Sequence, residues 1–331
     1  MDELSPDEIR KKTNIVEYVK SCGVALAPVS GGREYAGRCP FHDDESASFF
    51  VNPAKGLFHC FGCGAGGNLF SFIMRRQGVN FRQAMMIAMN RIGGLPPRTD
   101  SVLERLADYY HFCFGRSPRG REYLAGRGIM SEAVIRRFRI GLAPGGDRAV
   151  RALIDLGFDL IALRQAHVVN RHGRDAFFGR ITVPLSQAGR VINIYGRSLS
   201  ERYPHMYLPG HRGALFNADS IVPGEPAFIC ESILDCLTLV EHGFEHSAST
   251  FSANVTEESV HAIAAAHPGI VFIAFDGDDA GRRGAAALMA MLREKGVVSR
   301  SISIPDNADV NTFFLDDPDK AARSFRECAR C

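Results

Sequence analysis

No apolar run in this 331-residue sequence approaches the ~18 consecutive apolar residues that a membrane-spanning helix needs. A basic excess is missing too. The 39 Lys and Arg stand against 37 Asp and Glu, a formal charge of +2, so any nucleic-acid contact has to come from local patches. The opening stretch, MDELSPDEIRKK, is polar and acidic and lacks the apolar segment of a secretory leader. Without a leader, nine cysteines, an odd number, argue against a disulfide framework. Cys22, Cys113, Cys230 and Cys236 stand isolated and read as buried, inert thiols. The terminal CARC places Cys328 and Cys331 at metal spacing, but two ligands are half of a zinc site, and the pair reads as incidental. No internal repeat and no low-complexity tail occurs. What remains is an ordinary globular composition, 46% hydrophobic with mean hydropathy −0.06, and length enough for two or three domains.

The texture changes along the chain. SPDEIRKKTNIVEYVKSCG reads as a helix with Ser5 at the N-cap and Pro6 at N1. Residues 33–65 are β-type and rich in Phe and turn residues. From Asn68, Leu69, Phe70, Ile73 and Met74 recur at helical spacing, and a second helix carries Phe81, Ala84, Met85, Ala88 and Met89. GGLPPRTD (93–100) is a breaker cluster and a linker. ITVPLSQAGRVINIYGRSL predicts two strands joined by a turn at Gln187–Gly189. Beyond 223, the runs PAFIC, SAST, GIVFIAF and SRSISI alternate with helical stretches, the pattern of a parallel sheet with crossover helices. The expected fold class is multi-domain α/β: a zinc-ribbon β domain, a mixed α+β middle and a Rossmann-like parallel sheet. The expected boundaries are 1–94, a linker at 95–100, 101–222 and 223–331.

Cys39-x-x-His42 and Cys60-x-x-Cys63, with 17 residues between the pairs, form a Cys3His set. Zinc takes four such ligands in a tetrahedron, and a closed set is structural. Gly62 and Gly64 suit the tight second turn. His59, next to Cys60, is left out because the paired spacing favours Cys60 with Cys63. Phe49, Phe50, Phe58 and Phe61 surround the clamp together with Arg38 and Lys55. Rings interleaved with cations suit stacking on single-stranded bases; they equally suit a small core for the ribbon. The residues leave both readings open.

Acids recur where the later strands end. Glu231 follows PAFIC, with Asp235 four residues on. Asp276 and Asp278 follow IVFIAF, and Asp309 and Asp316 follow SRSISI. Ligands of open parallel sheets bind outside the carboxyl ends of the strands. Carboxylates gathered there repel unless a cation neutralises them, and hard oxygen ligands point to Mg²⁺ or Mn²⁺.

At this point a resemblance is plain, and it runs along almost the whole chain in order. CPFH…HCFGCG resembles the CHC2 zinc domain of bacterial DnaG-type DNA primases. REYLAGRGI with RRFRIGLAP resembles the start of their catalytic core, and RITVPL…GRVINIYGRSL their basic template-binding ridge. ESILD and FDGDDAG resemble the two Toprim motifs. The resemblance implies that Glu231, Asp276 and Asp278 are catalytic metal ligands, with Asp309 as a further one. It implies that Arg127, Arg180 and Arg197 line the nucleotide and template groove. Two departures stand out. Asn311 occupies the second place of a third acidic pair, which removes a charge. PHMYLPG puts His205 and Met206 where the family has lysine, so a basic contact is missing or comes from Arg202 or Arg212.

The reading that follows is RNA primer synthesis on single-stranded DNA from ribonucleoside triphosphates. One structural Zn²⁺ shapes the template-binding ribbon, whose contacts include Phe58, Phe61 and Lys55, and the flexible linker presents that face to the Toprim metals. The alternatives are a Toprim nuclease and an inactive, single-strand-binding relative. No tyrosine nucleophile stands out for a topoisomerase. The family's helicase-binding domain is expected to be absent, as in short phage, plasmid or mobile-element forms, so docking to a replicative helicase by the usual route is not expected. The expected location is the cytoplasm of a bacterial or phage-infected cell.

Overall fold

The computed structural model describes residues 5–92, 99–200 and 203–330. The helices are α1 (Pro6–Lys12), α2 (Ile15–Ser21), α3 (Leu69–Gln77), α4 (Phe81–Ile92), α5 (Thr99–Gly115), α6 (Pro118–Ala125), α7 (Glu132–Arg137), α8 (Arg148–Asp155), α9 (Leu160–Gln165), α10 (Ile233–Glu241), α11 (Glu257–Ala265), α12 (Asp279–Glu294), α13 (Val310–Asp316) and α14 (Pro318–Arg330). The strands are β1 (Ala27–Val29), β2 (Glu34–Gly37), β3 (Phe49–Asn52), β4 (Leu57–Cys60), β5 (Gly66–Asn68), β6 (Gly141–Leu142), β7 (Arg180–Gln187), β8 (Arg190–Ser198), β9 (Met206–Tyr207), β10 (Pro226–Cys230), β11 (Ser247–Ser249), β12 (Ile270–Ala274) and β13 (Ser299–Ser301). Among the described residues no helix is long and apolar enough to cross a membrane. The chain packs into two units: Met1–Leu106 with Gly145–Ala176, and Ala107–Pro144 with Phe177–Cys331. Of the expected linker at 95–100, residues up to 98 lie outside the described residues, and Thr99 and Asp100 open α5.

In the N-terminal unit, Ser5 caps α1 through a capping box with Glu8, and Pro6 sits in its first turn. One helix was expected through Ser21, but two form. Asn14 takes an extended backbone, and its side-chain oxygen accepts the N–H groups of Val16 and Glu17, which starts α2. Strands β1 to β5 make an antiparallel ribbon in sequence order. Its inner face buries Phe49, Val51 and Phe58 against Phe72 of α3. Phe49, Phe58 and Phe72 meet with ring centroids 5.4–6.1 Å apart. Residues 145–176 join this unit through buried Gln77. Its amide donates to the Tyr18 hydroxyl at 3.1 Å, and its oxygen accepts the Leu160 N–H at 3.0 Å.

The C-terminal unit holds two sheets. One is antiparallel, β6-β7-β8-β9. Its β7–β8 hairpin turns where predicted, through Ala188 (φ 49) and Gly189 (φ 72), the left-handed pair a two-residue turn requires. The other sheet is parallel throughout, in the order β11-β10-β12-β13. Side chains alternate between its two faces. Phe228, Cys230, Phe272 and Ala274 pack with α10, α13 and α14 on one face, and Ala227, Ile229, Val271 and Ile273 pack with α11 and α12 on the other. Burial of both faces explains the continuous apolar runs in the sequence. Phe272 stacks on Phe228 at 5.4 Å in the middle of this core. Phe272→Ala is expected to destabilise this unit by about 3–5 kcal/mol, read from the denaturant midpoint.

Candidate metal centres

Cys39 and His42 lie in the turn after β2, Cys60 closes β4, and Cys63 sits in the next turn. Their ligand atoms all fall within 4.8 Å of one another. The Sγ atoms of Cys39 and Cys63 are 3.8 Å apart, and Cys60 Sγ lies 4.0 Å from His42 Nδ1. A tetrahedron with bonds of about 2.3 Å has edges of about 3.8 Å, so the four residues fit zinc with no position left open. The Ser48 hydroxyl at 3.2 Å and the Cys63 N–H at 3.4 Å also face Cys60 Sγ. His59 points outward, its ring edge-on to Phe61.

Sequence reasoning missed Asp44. Its Oδ2 accepts the Cys39 N–H and the Ser48 hydroxyl, each at 2.7 Å, and Oδ1 lies 3.8 Å from His42 Nε2. The Cys39 N–H, aided by Ser48, holds this carboxyl at about 2. At 3.8 Å the histidine is beyond hydrogen-bond reach, so Asp44 braces the clamp through the Cys39 N–H and the Ser48 hydroxyl. An acid two residues past the ligand was the available signal. Gly62 is needed for closeness: a Cβ there would lie 2.9 Å from His42 Nε2.

The second centre lies at the carboxyl ends of β10 and β12. Strand β11 flanks β10 on one side and β12 on the other, so the crevice at β10/β12 is where the strand order reverses. Glu231 Oε1 accepts the Asp276 N–H at 2.9 Å. Asp278 caps α12 by accepting the Gly281 N–H at 2.7 Å. Asp309 caps α13 by accepting the Thr312 N–H at 2.6 Å. The glycines of DGDDAG permit this approach. A Cβ on Gly277 would sit 1.9 Å from the Pro305 carbonyl oxygen, and one on Gly281 would sit 2.2 Å from that of Asp276.

These acids act on one another. Burial pushes Asp276 up to about 7, with Glu231, Asp309 and Asp278 adding to the shift. Glu231 is raised by burial, against the N–H bond from Asp276. Asp276 Oδ1 is buried with no hydrogen-bond partner among the described residues. A partnerless carboxylate oxygen among other carboxylates fits a hard divalent cation. Asp235, singled out only for its spacing, also belongs here. It is fully buried and pushed up to about 7, first by burial and then by Asp309. Its oxygens accept the Ser232 hydroxyl at 2.6 Å and the Asn311 N–H at 3.0 Å. Asp316 is exposed at the far end of α13, away from the cluster.

Asn311 is a structural clasp. It is 1% exposed, and its amide donates to the Arg127 carbonyl at 2.7 Å and to the Thr238 hydroxyl at 2.8 Å. Its oxygen lies 3.4 Å from Arg127 Nη1, which places Arg127 beside the start of α13. Arg197 lies by Tyr195 on β8, whose hydroxyl burial pushes to about 12. Arg180 donates to the carbonyls of Phe178 and Pro204, each at 3.3 Å. Arg202 lies outside the described residues. Arg212 is 4.5 Å over the Tyr207 ring. His205 is lowered by burial and by the charges of Arg197 and Arg212. His205, Tyr207, Arg212 and Phe251 line one cleft of about 510 Å³.

Of the expected template contacts, Phe58 is corrected. It is 3% exposed, its ring closed in by Phe41, Phe49 and Phe72, so the core reading wins there and for Phe49. Phe61 is 73% exposed and forms an outer ring cluster with Phe50 and His59. Lys55 is exposed in the β3–β4 turn, at the other end of β4 from Cys60. Among the isolated cysteines, Cys22, Cys230 and Cys236 are buried and Cys113 is half-buried. Cys331 is outside the described residues.

The chain matches the CHC2 zinc finger over residues 1–104, the N-terminal domain of the DNA primase catalytic core over 109–222, and a Toprim-like domain over 228–314. The DNA primase of Aquifex aeolicus is 27% identical over 330 residues, covering 93% of this chain and 65% of that one. The DNA primase of Pseudomonas aeruginosa is 29% identical, covering 98% and 53%. The chain thus spans between about half and two thirds of these relatives. The solved zinc-binding and RNA polymerase domains of the Aquifex aeolicus primase superpose with a TM-score of 0.64 at 27% identity, covering 98% of this chain and 84% of that one. A DnaG primase catalytic domain bound to single-stranded DNA shares the fold, with a TM-score of 0.59 at 24% identity over 75% of this chain and 83% of that one.

Asp235 and Asp276 stand at about 7 in the folded chain against 3.8 when free. Between those values the native state holds protons that the unfolded chain has released, so stability falls as pH rises. Without added divalent cation, the denaturant midpoint is expected to drop between about pH 4 and 7, and Asp276→Asn is expected to flatten that drop. Asn311→Asp removes both amide donors and leaves an acceptor facing acceptors. It is expected to destabilise the fold by about 1–3 kcal/mol, with no gain in divalent-cation affinity by titration calorimetry.

Proposed function

The chain belongs to the DnaG-type DNA primase family, and on that footing we propose that it synthesises short RNA on a single-stranded DNA template from ribonucleoside triphosphates. The observation that carries this reading is the orphaned Asp276 oxygen inside a ring of acids at the sheet's switch point. Glu231, Asp276 and Asp278, with Asp309 behind them, are the residues that would hold Mg²⁺ or Mn²⁺. When bound, such ions supply charge neutralisation for the attacking 3′-hydroxyl and the departing pyrophosphate.

The side chains around the acids divide the remaining work. Glu231 fixes the Asp276 backbone, and thereby the direction of its carboxylate. Arg127, held by Asn311 near the start of α13, supplies a guanidinium for a phosphate oxygen. Arg197 and Arg212, near His205, supply positive charge along the β7–β8 hairpin for template or nucleotide phosphates. In the N-terminal unit, Phe61, Phe50 and His59 form an outward ring platform on which template bases stack.

The test is primer synthesis with labelled ribonucleotides, mixed single-stranded templates and Mg²⁺ or Mn²⁺, with template integrity scored in the same tubes. Short template-dependent RNA is expected, and Glu231→Gln is expected to reduce it at least a hundredfold. Shortened template with no RNA would instead make the protein a nuclease.

A further inference from the structure

The end of the ribbon opposite the zinc clamp carries a feature that the proposed chemistry does not use. The last turn of α1 and the β3–β4 turn face each other across a cleft of about 530 Å³. Arg10, Lys11 and Lys12, with the acid Asp7 and with Thr13, line it from the α1 side and Lys55 from the β3–β4 turn. All four cations are exposed. Arg10 pairs with Asp7 at 3.2 Å. Among the described residues no carboxylate forms an ion pair with Lys11, Lys12 or Lys55. Glu8 accepts the Ser5 N–H and hydroxyl, each at 2.7 Å, and feels the charges of Lys12 and Lys11 only at longer range. The Thr13 hydroxyl is buried with no hydrogen-bond partner among the described residues.

A chain whose net charge is only +2 thus gathers three unpaired ammonium groups around one concave surface. Unpaired lysines repel one another, and folding α1 against the β3–β4 turn brings them closer together. An arrangement of this kind suits an anion with several charges spaced along its length. The lysines differ in chemistry from the ring platform at the zinc end. Ammonium groups act as point charges that hold phosphates and read no base, whereas rings stack on bases.

We propose that this cleft is a second nucleic-acid site of the N-terminal unit, one that grips the phosphodiester backbone of a single strand by charge alone. The proposal rests on the reading that this unit handles a strand, and it adds the place and the chemistry of the grip. Each lysine that neutralises a phosphate displaces condensed counterions, so the site is visible in the salt dependence of binding. For single strands the slope of log K against log salt changes by about 0.7 per contact.

The full zinc-loaded chain is titrated with a fluorescent mixed-sequence single strand at several salt concentrations, beside a Lys11→Ala/Lys12→Ala/Lys55→Ala variant and a Lys20→Ala control on α2. The triple variant is expected to keep its zinc, to bind at least tenfold more weakly at low salt, and to show a slope shallower by about 2. The control is expected to match the parent. An unchanged slope in the triple variant overturns the proposal. So does a loss confined to inorganic tripolyphosphate, used as competitor, because the cleft would then hold a nucleotide's phosphate chain instead of a strand. Glu231→Gln separates the two readings. If neither parent nor variant makes primers while the lysine-dependent slope persists, the primase reading fails and the cleft stands.

Discussion

Carboxylates crowded in a half-buried crevice repel one another, and the C-terminal sheet is arranged around that constraint. Desolvation raises the cost of each charge, and each neighbour raises it further. The fold answers with fixed dipoles. Asp278 and Asp309 sit at the N-termini of α12 and α13, where backbone N–H groups donate to them and stabilise negative charge. Glu231 takes a backbone N–H from the strand end beside it. Asp276 keeps a buried oxygen that no hydrogen bond reaches among the described residues. A parallel sheet with a reversal in strand order is what lets acids separated by some eighty residues in sequence share one site.

The zinc clamp addresses a different shortage. The ribbon strands are three or four residues long, too short to hold register by pairing alone. Four ligands on two turns fix β2, β3 and β4 at one end, and Asp44 stiffens the clamp by joining Cys39 to Ser48. With the backbone fixed there, Phe49 and Phe58 bury themselves inward while Phe50, His59 and Phe61 remain outside.

Spacing made much of this legible beforehand. The zinc ligands announce themselves because a tetrahedral ion imposes short, paired intervals on the chain. The parallel strands do so because burial on both faces removes alternation, as in PAFIC. Glu231, Asp276 and Asp278 follow from strand ends. What stayed hidden depends on three-dimensional partners. Phe58 and Phe61 are the same residue type three positions apart, and only the strand's facing direction separates core from surface. Asn311 looked like a lost ligand, yet its partners lie 184 and 73 residues away in sequence, beyond any local pattern. The break between α1 and α2 was readable in principle from Asn14, a strong cap in mid-run.

The N-terminal unit is built from two separated stretches, 1–106 and 145–176, with Gln77 bridging to Leu160 across the interval. During synthesis the ribosome therefore releases the zinc ribbon long before the segment that completes its packing. The buried core of the ribbon and its helices runs from Ile9 to Ala88, so it can close on zinc before that segment emerges.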